Sequence, residues 1–390
     1  MISVDAALTH LFELVTALRT ERVPLSEAAG RVMVRDAMAR RDQPPFASSA
    51  MDGYAVRSKD VAPDVKLQVV GESAAGHRFK NALQPNECVR IFTGAPVPDG
   101  ADRVIIQEDV DRVEDTITLG EALDAGPYIR AQGSDFAIGE TLAGPRRLRA
   151  SDVALLASMN ISTLTVTRKP RVALISTGDE LVLPGETPGP DQIIASNTYG
   201  LKAMLDAEGA EARILPIARD NAASLTAAFE LAQDADMIVT IGGASVGDHD
   251  LVADVAETMG LRKAFYKIRM RPGKPLMAGK MGDIPMVGLP GNPVSAMVCG
   301  KVFLVPMLRV MLGFPGQPAA RTTAALAHDI GPNGPREHYM RAVLHDGQIA
   351  PAERQDSSLL SVLAASNALM IRPPDDQARK KGEQMDYLPL

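Results

Sequence analysis

The sequence predicts an α/β multidomain chain built on a doubly wound, mostly parallel sheet with smaller parts attached. Between residues 170 and 312, buried-looking strand runs alternate with amphipathic helical patterns. Such alternation implies a parallel sheet covered by helices on both faces. Between Val65 and Leu142 the pattern changes to short strands broken by glycine and proline. At 390 residues, the chain also exceeds what one hydrophobic core usually supports.

In chain order, the first forty residues read as helical, with Leu8, Leu11, Phe12, Val15 and Leu18 recurring at three and four residues after a candidate cap at Ser3. QPPFASSAMDGYAVR, residues 43–57, is a proline-opened loop entering a strand. KLQVV, CVRIF, DRVIIQED and TITL follow as strands of a β-rich module. ASDVALLASMN, residues 150–160, returns to helical spacing. The simplest topology therefore inserts the β-rich module (47–140) into a helical N-terminal domain (1–46 plus 141–168). An α/β domain (169–315) and a small C-terminal β-barrel-like domain (316–390) follow.

Within the α/β domain, RVALIS (171–176) precedes a helix with Leu201, Met204 and Leu205 on one face. ARILPIA (212–218) precedes one with Leu225, Ala228, Phe229 and Ala232. DMIVTI (236–241) precedes one with Val252, Val255, Ala256 and Met259. KAFYKIRM (263–270) is read as a fourth strand, ahead of a hairpin and a long helix opened by LPGNPVSA. HYMRAVL and LMIRPP supply strands of the last domain, and the polar stretch from Gln377 to Leu390 is expected to fray.

Composition narrows the partners. An apolar fraction of 46% with 23% charged residues is ordinary for a soluble globular protein. A net charge of −7 argues against nucleic acid or an anionic membrane, while leaving room for a local basic site. The N-terminus has no basic segment followed by a long apolar one, so neither a signal peptide nor a membrane span is expected, and the setting is read as cytoplasmic. Cys88 and Cys299 form no metal or redox motif and are read as inert. The six histidines show no zinc-ligand spacing.

Ligands of open α/β sheets gather at the carboxyl ends of strands. Asp179 and Glu180 follow the first strand, Asp220 the second, Asp248 and Asp250 the third, and Arg269, Arg271 and Lys274 the fourth. Acids crowded on one rim repel unless a cation sits among them, and oxygen ligands suit magnesium. Taken singly, Asp220 and Asp250 each suit a helix cap; the set suits a metal site, because capping does not explain the adjacent base. Gly242, Gly243 and Gly247 let backbone N–H groups approach a phosphate, although a plain tight turn is the usual reason for such glycines. In LPGNPVSA, Asn292 can cap and Pro293 can occupy the first helical position, leaving N–H groups free. Strand alternation would put Lys267, Arg269 and Arg271 on one face, either as a solvated edge or toward an anion.

SAMDGYAV (49–56), RIFTGAPVP (90–98), STGDEL (176–181), GGASVGDHD (242–250), RPGKP (271–275) and LPGNPVSA (289–296) together resemble the bacterial MoeA proteins and the C-terminal domain of gephyrin. The resemblance covers nearly the whole chain in order, and implies a MogA-like central domain and a molybdopterin molybdenumtransferase. Its chemistry would cleave adenylylated molybdopterin and place molybdenum from molybdate on the dithiolene. By motif, Asp52, Thr93, Glu180, Asp220 and Asp250 match the functional polar set, with Glu180, Asp220 and Asp250 as ligands of magnesium, zinc being the alternative. Lys267, Arg271, Lys274, Pro290 and Pro293 match the anion-binding set, joined by Gly242, Gly243, Ser245, Gly247 and Asn292. Arg130, in YIRAQGSDF, matches a family arginine, and Arg336 and Ser357 match in the last domain.

The resemblance further implies a homodimer in which Asp52, Thr93 and Arg130 act on the partner's α/β domain, and transfer of the product to molybdoenzymes. Two positions depart from the family pattern. Ala47 and Ser48 stand where a polar Asp-Asn or Asp-Arg pair is usual, and Arg271 stands where lysine is common. Competing expectations are a non-catalytic scaffold on the same fold, or a different reaction such as adenylylation of molybdopterin or hydrolysis of a nucleotide pyrophosphate; MDGYA and the C-terminal β domain point away from the latter.

Overall fold

A computed structural model describes residues 1–243 and 251–390. The chain divides into two compact units, one of Met1–Glu21, Gly30–Val32 and Val166–Leu390, the other of Arg22–Ala29 and Met33–Thr165.

In the first unit the central sheet runs Glu211–Ile214, Arg171–Ser176, Met237–Ile241, Ile284–Leu289, Met277–Met281, Leu261–Tyr266. The first four strands are parallel, and the last two pairings are antiparallel. Two reversals bring Leu261–Tyr266 back to the common direction, so five carboxyl ends share one rim. Residues 172–175 are wholly buried because both faces of the sheet are covered. Val172 and Leu174 pack with the helices Val4–Leu14, Asn197–Ala207 and Pro293–Cys299. Ala173 and Ile175 face the helices Ala222–Leu231 and Leu251–Thr258 on the other side. The apolar stretch Pro293–Met311 has the length of a membrane span, yet 78% of it is buried inside the fold.

The C-terminal region closes a five-stranded barrel. Glu337–His345 pairs with Gln348–Pro351, followed by Thr322–Leu326, Gln384–Pro389 and Ala368–Arg372, which returns to Glu337–His345. Closure removes free sheet edges. It also overturns the frayed reading of Gln377–Leu390: Met385 and Leu388 are buried, and their strand is needed to complete the ring.

Two further expectations fail for physical reasons. α-Helix in the first forty residues is confined to Val4–Leu14, where the Ser3 hydroxyl accepts from Ala6 N at 3.1 Å as a cap. Beyond it, Pro24 and the β-branched Thr20 and Val23 favour extended backbone, and strands form at Thr20–Pro24, Val32–Met33 and Ala37–Met38. The fourth strand ends at Tyr266, because Lys267 is left-handed at φ 71°. Met270–Arg271 then leaves the central sheet to pair with Glu337–His338 of the barrel. Lys267, Arg269 and Arg271 therefore do not share one strand face.

The second unit is built around a six-stranded sheet in the order Arg103–Ile106, Gly53–Val56, Glu87–Ile91, Lys66–Ser73, Thr116–Leu119, Val110–Val113. Tyr54 and Val56 pack into one core and Ala55 into another, so alternate residues of one strand serve both faces. Cys88 and Cys299 are both free and buried, and burial raises the Cys88 thiol to about 12 and pushes Cys299 up as well.

Candidate functional site

At the rim, Thr177 N donates to Ile241 O at 3.0 Å and Gly178 N to Ala218 O at 3.1 Å, tying three strand ends together. The Glu180 side chain folds back over Gly178, where a Cβ would lie 2.4 Å from its Oε2. Asp220 N donates to Asp179 Oδ1 at 3.1 Å. The neighbouring Arg219 sends Nη1 toward the carbonyls of Gly178 (3.4 Å), Asp179 (3.1 Å) and Leu181 (3.1 Å). Arg219 was not among the expected residues. A lone arginine inside an acidic rim, in ARDN, was the available signal.

Asp220 does not cap the helix that follows it. That role belongs to Asn221, whose Oδ1 accepts from Ser224 N at 2.9 Å. The carboxylates of Asp220 and Glu180 have no hydrogen bond or ion pair among the described residues, and both residues are exposed. Two uncommitted oxygen donors on adjoining loops fit the demands of magnesium, which takes one or two carboxylates and keeps water and phosphate for the rest. No group of three or more His, Cys, Asp or Glu side chains gathers as a metal site among the described residues. The third expected ligand, Asp250, lies outside those residues, as do Ser245, Gly247 and Asp248.

Gly242 and Gly243 turn the chain with φ of 96° and 68°. A Cβ at Gly242 would lie 2.7 Å from Thr177 O, and one at Gly243 would lie 2.1 Å from Val252 Cγ2. Only glycine satisfies both constraints. Beside this turn, Gly242 N donates to Leu289 O at 3.1 Å, and Asn197 Nδ2 donates to Gly291 O at 2.7 Å. Pro290 is buried, and Pro293 occupies the start of its helix as expected. Asn292, however, makes no side-chain cap bond. The Val294 N–H expected to be free donates instead to Ser357 O at 3.0 Å, which places Ser357 at this helix start. Proline lacks an N–H, so a neighbouring carbonyl can take the next donor along.

The cations divide between two cavities. One of about 570 Å³ is lined by Arg269, Lys274 and Arg336, with Met1 and Pro335. The other, about 510 Å³, is lined by Arg271, His338, Arg372, Asp356 and Gln355 among others. Lys267 joins neither lining, and its ammonium lies 4.8 Å from the Tyr266 ring centroid. His338, which no motif had marked, is buried, and its Nε2 has no hydrogen-bond partner among the described residues. Burial first, then the charges of Arg271, Arg341, Arg336 and Arg372, lower its pKa to about 3, so the ring is neutral.

In the second unit, Asp52 Oδ1 accepts from both Thr93 N and Thr93 Oγ1 at 2.7 Å. These two bonds, backbone before hydroxyl, hold the Asp52 pKa below its ordinary value. Arg130 lies opposite Ser48 in a short antiparallel ladder, and Ser49 N donates to Ala95 O at 3.0 Å. Residues 48–52, 92–97 and 129–130 thus form one connected surface carrying Asp52, Thr93 and Arg130. Ala47 contributes only its carbonyl, which accepts from Val97 N at 2.9 Å. Arg90 was also missed; its guanidinium stacks over Tyr54 at 5.1 Å and Phe92 at 4.9 Å beside this surface.

Comparison with known proteins identifies the family. Residues 2–160 match the MoeA N-terminal region (domain I and II), 173–310 a probable molybdopterin binding domain, and 323–390 the MoeA C-terminal region (domain IV). A molybdopterin molybdenumtransferase of Nostoc sp. is 34% identical, covering 100% of this chain and 94% of that protein. Molybdopterin molybdenumtransferase 2 of Mycobacterium tuberculosis is 35% identical, covering 97% of each. The crystal structure of a molybdopterin biosynthesis MoeA protein from Pyrococcus horikoshii has 31% identity and a TM-score of 0.82, covering 100% of this chain and 99% of that one. The chain belongs to the MoeA family of molybdopterin molybdenumtransferases, transferases of molybdenum cofactor biosynthesis.

Proposed function

We propose that this chain takes adenylylated molybdopterin and molybdate, cleaves the adenylate with release of AMP, and leaves molybdenum on the dithiolene. The observation that carries this reading is the free carboxylate of Asp220. Its backbone is fixed by Asp179, its neighbour Arg219 is bonded into the acidic loop, and Asn221 relieves it of capping. An exposed acid positioned this firmly, with no side-chain partner among the described residues, suits a cation-bridged phosphate. Glu180 and Asp220, with Asp250, would hold the divalent ion. Oxygen-only donors favour magnesium over zinc.

A bound magnesium ion would neutralise charge on the phosphate oxygens. The protein's own part is orientation. Gly242 and Gly243 let the backbone approach a phosphoryl group, and Arg269, Lys274 and Arg336 supply a cavity whose charged lining residues are cationic, suited to molybdate. Arg271, in the other cavity, offers a bidentate fork where the family commonly has a point charge. Pairing as a homodimer would bring Asp52, Thr93 and Arg130 of one chain to the rim of its partner, and the product would pass to a molybdoenzyme in the cytoplasm.

The test supplies adenylylated molybdopterin, magnesium and molybdate, then follows AMP release and reconstitution of a molybdoenzyme. Molybdate-dependent release is expected. Release that ignores molybdate would instead mark a pyrophosphate hydrolase, and absence of turnover a scaffold.

A further inference from the structure

The largest apolar cavity described, about 840 Å³, contains none of the residues assigned above. It runs along the helix Asn197–Ala207, from Ser196 and Asn197 past Gly200, Ala203 and Met204 to Ala207 and Glu208. That helix is about 16 Å long at roughly 1.5 Å per residue. Met297 and Lys301 form part of a second wall, and Leu360, Leu363 and Ala364 part of a third.

Two features make this a built cavity rather than loose packing. Each thioether is pinned by a glycine on the facing helix: a Cβ at Gly200 would lie 2.8 Å from Met297 Sδ, and one at Gly300 would lie 3.2 Å from Met204 Sδ. In addition, Gly300–Leu304 is a π-helical turn, a distortion that accompanies functional sites and sets Lys301 beside the cavity. One end of the cavity meets the rim directly, because Asn197 lines it and also donates to Gly291 O at 2.7 Å.

We infer that this cavity receives the fused heteroaromatic ring of the pterin while the phosphoryl arm lies at the Gly242–Gly243 rim. The inference rests on the function proposed above and assigns the pterin half of the substrate. Among its described residues the rim offers glycine turns and exposed carboxylates. Thioethers make favourable contacts with aromatic edges and faces. Lys301 can donate to the ring carbonyl oxygen.

The probe is pterin itself, 2-amino-4-oxopteridine, titrated by quenching of its own fluorescence against the full chain. Saturable quenching is expected with wild type. Ala203→Phe, on the exposed side of its helix, and Ala364→Phe, from the opposite wall, should each weaken binding at least tenfold. In turnover, both fillers should raise KM for adenylylated molybdopterin with little change in kcat. Wild-type pterin affinity in both fillers, or no saturable quenching by wild type, overturns the inference. A chain that binds pterin in this Ala203-dependent way yet never releases AMP would keep the cavity assignment and remove the proposed reaction.

Discussion

Asp179 and Asp220, two acids on separate loops, are joined through backbone rather than through a shared proton: Asp220 N donates to Asp179 Oδ1 at 3.1 Å. One carboxylate is spent on architecture, and the other makes no hydrogen bond or ion pair among the described residues. Asp220→Asn keeps the backbone donor and removes the charge. AMP release is expected to fall by about two orders of magnitude or more, within the range typical of losing one electrostatic or acid–base group. Unchanged thermal unfolding must accompany the loss; turnover at the wild-type rate would take Asp220 out of the site.

Arg219→Lys tests the brace beneath those acids. A single ammonium cannot reproduce the fork directed at Gly178, Asp179 and Leu181. A fall in kcat of about tenfold is expected, with a smaller change in melting temperature, because small misplacements of catalytic groups are costly. The readout is the kcat-to-stability comparison, and a variant less stable but fully active would reduce Arg219 to a structural residue.

At the glycine turn, Gly243→Ala places a methyl group where 2.1 Å separates it from Val252 Cγ2, at a φ of 68°. Loss of most AMP release is expected. The double variant Gly243→Ala with Val252→Ala relieves the contact and leaves the backbone strain, so partial recovery should appear in a double-mutant comparison.

His338 gives a pH signature. Its folded pKa, about 3, lies below the ordinary 6.5, so below pH 6.5 the unfolded chain binds a proton that the folded chain refuses. Stability should therefore fall as pH drops from 6.5 toward 3, with a slope of at most about 1.4 kcal/mol per pH unit from this group. His338→Met should flatten that limb of a denaturant titration; an identical acid limb in the variant would show that other groups set it.

In the barrel, Arg372 Nε donates to Asp376 Oδ2 at 2.5 Å, and both side chains are buried. Asp376→Ala leaves the guanidinium uncompensated, and a loss of about 3–5 kcal/mol is expected in chemical unfolding. Arg372→Met with Asp376→Leu should recover only part of it, since Arg379 also donates to Asp376 and the carbonyls of Gly331 and Gln377 lose their donor.

Much of the central sheet was legible because residues 172–175 are apolar without interruption, as strands covered on both faces must be. The acids at the strand ends were legible from topology alone. What periodicity could not give was the partner of an edge residue. Met270 pairs with Glu337, far along the chain, so Lys267–Arg271 looked like one strand when it is a crossing between sheets. The same blindness hid the last strand, Gln384–Pro389, whose polar residues face outward from a ring that only long-range closure defines. Asn221 defeated the cap assignment of Asp220 because either residue could have started that helix, and only the bond to Ser224 N decides between them.

The strand Met270–Arg271 hydrogen-bonds into the barrel while the residues around it belong to the α/β half, and Tyr339, Leu369, Ile371 and Leu388 share a core with Leu174. Melting of either portion should therefore drag the other with it in a single cooperative step. A fragment ending near Gly316 would carry a bare strand edge and a stripped apolar face, and its expected fate is aggregation rather than independent folding.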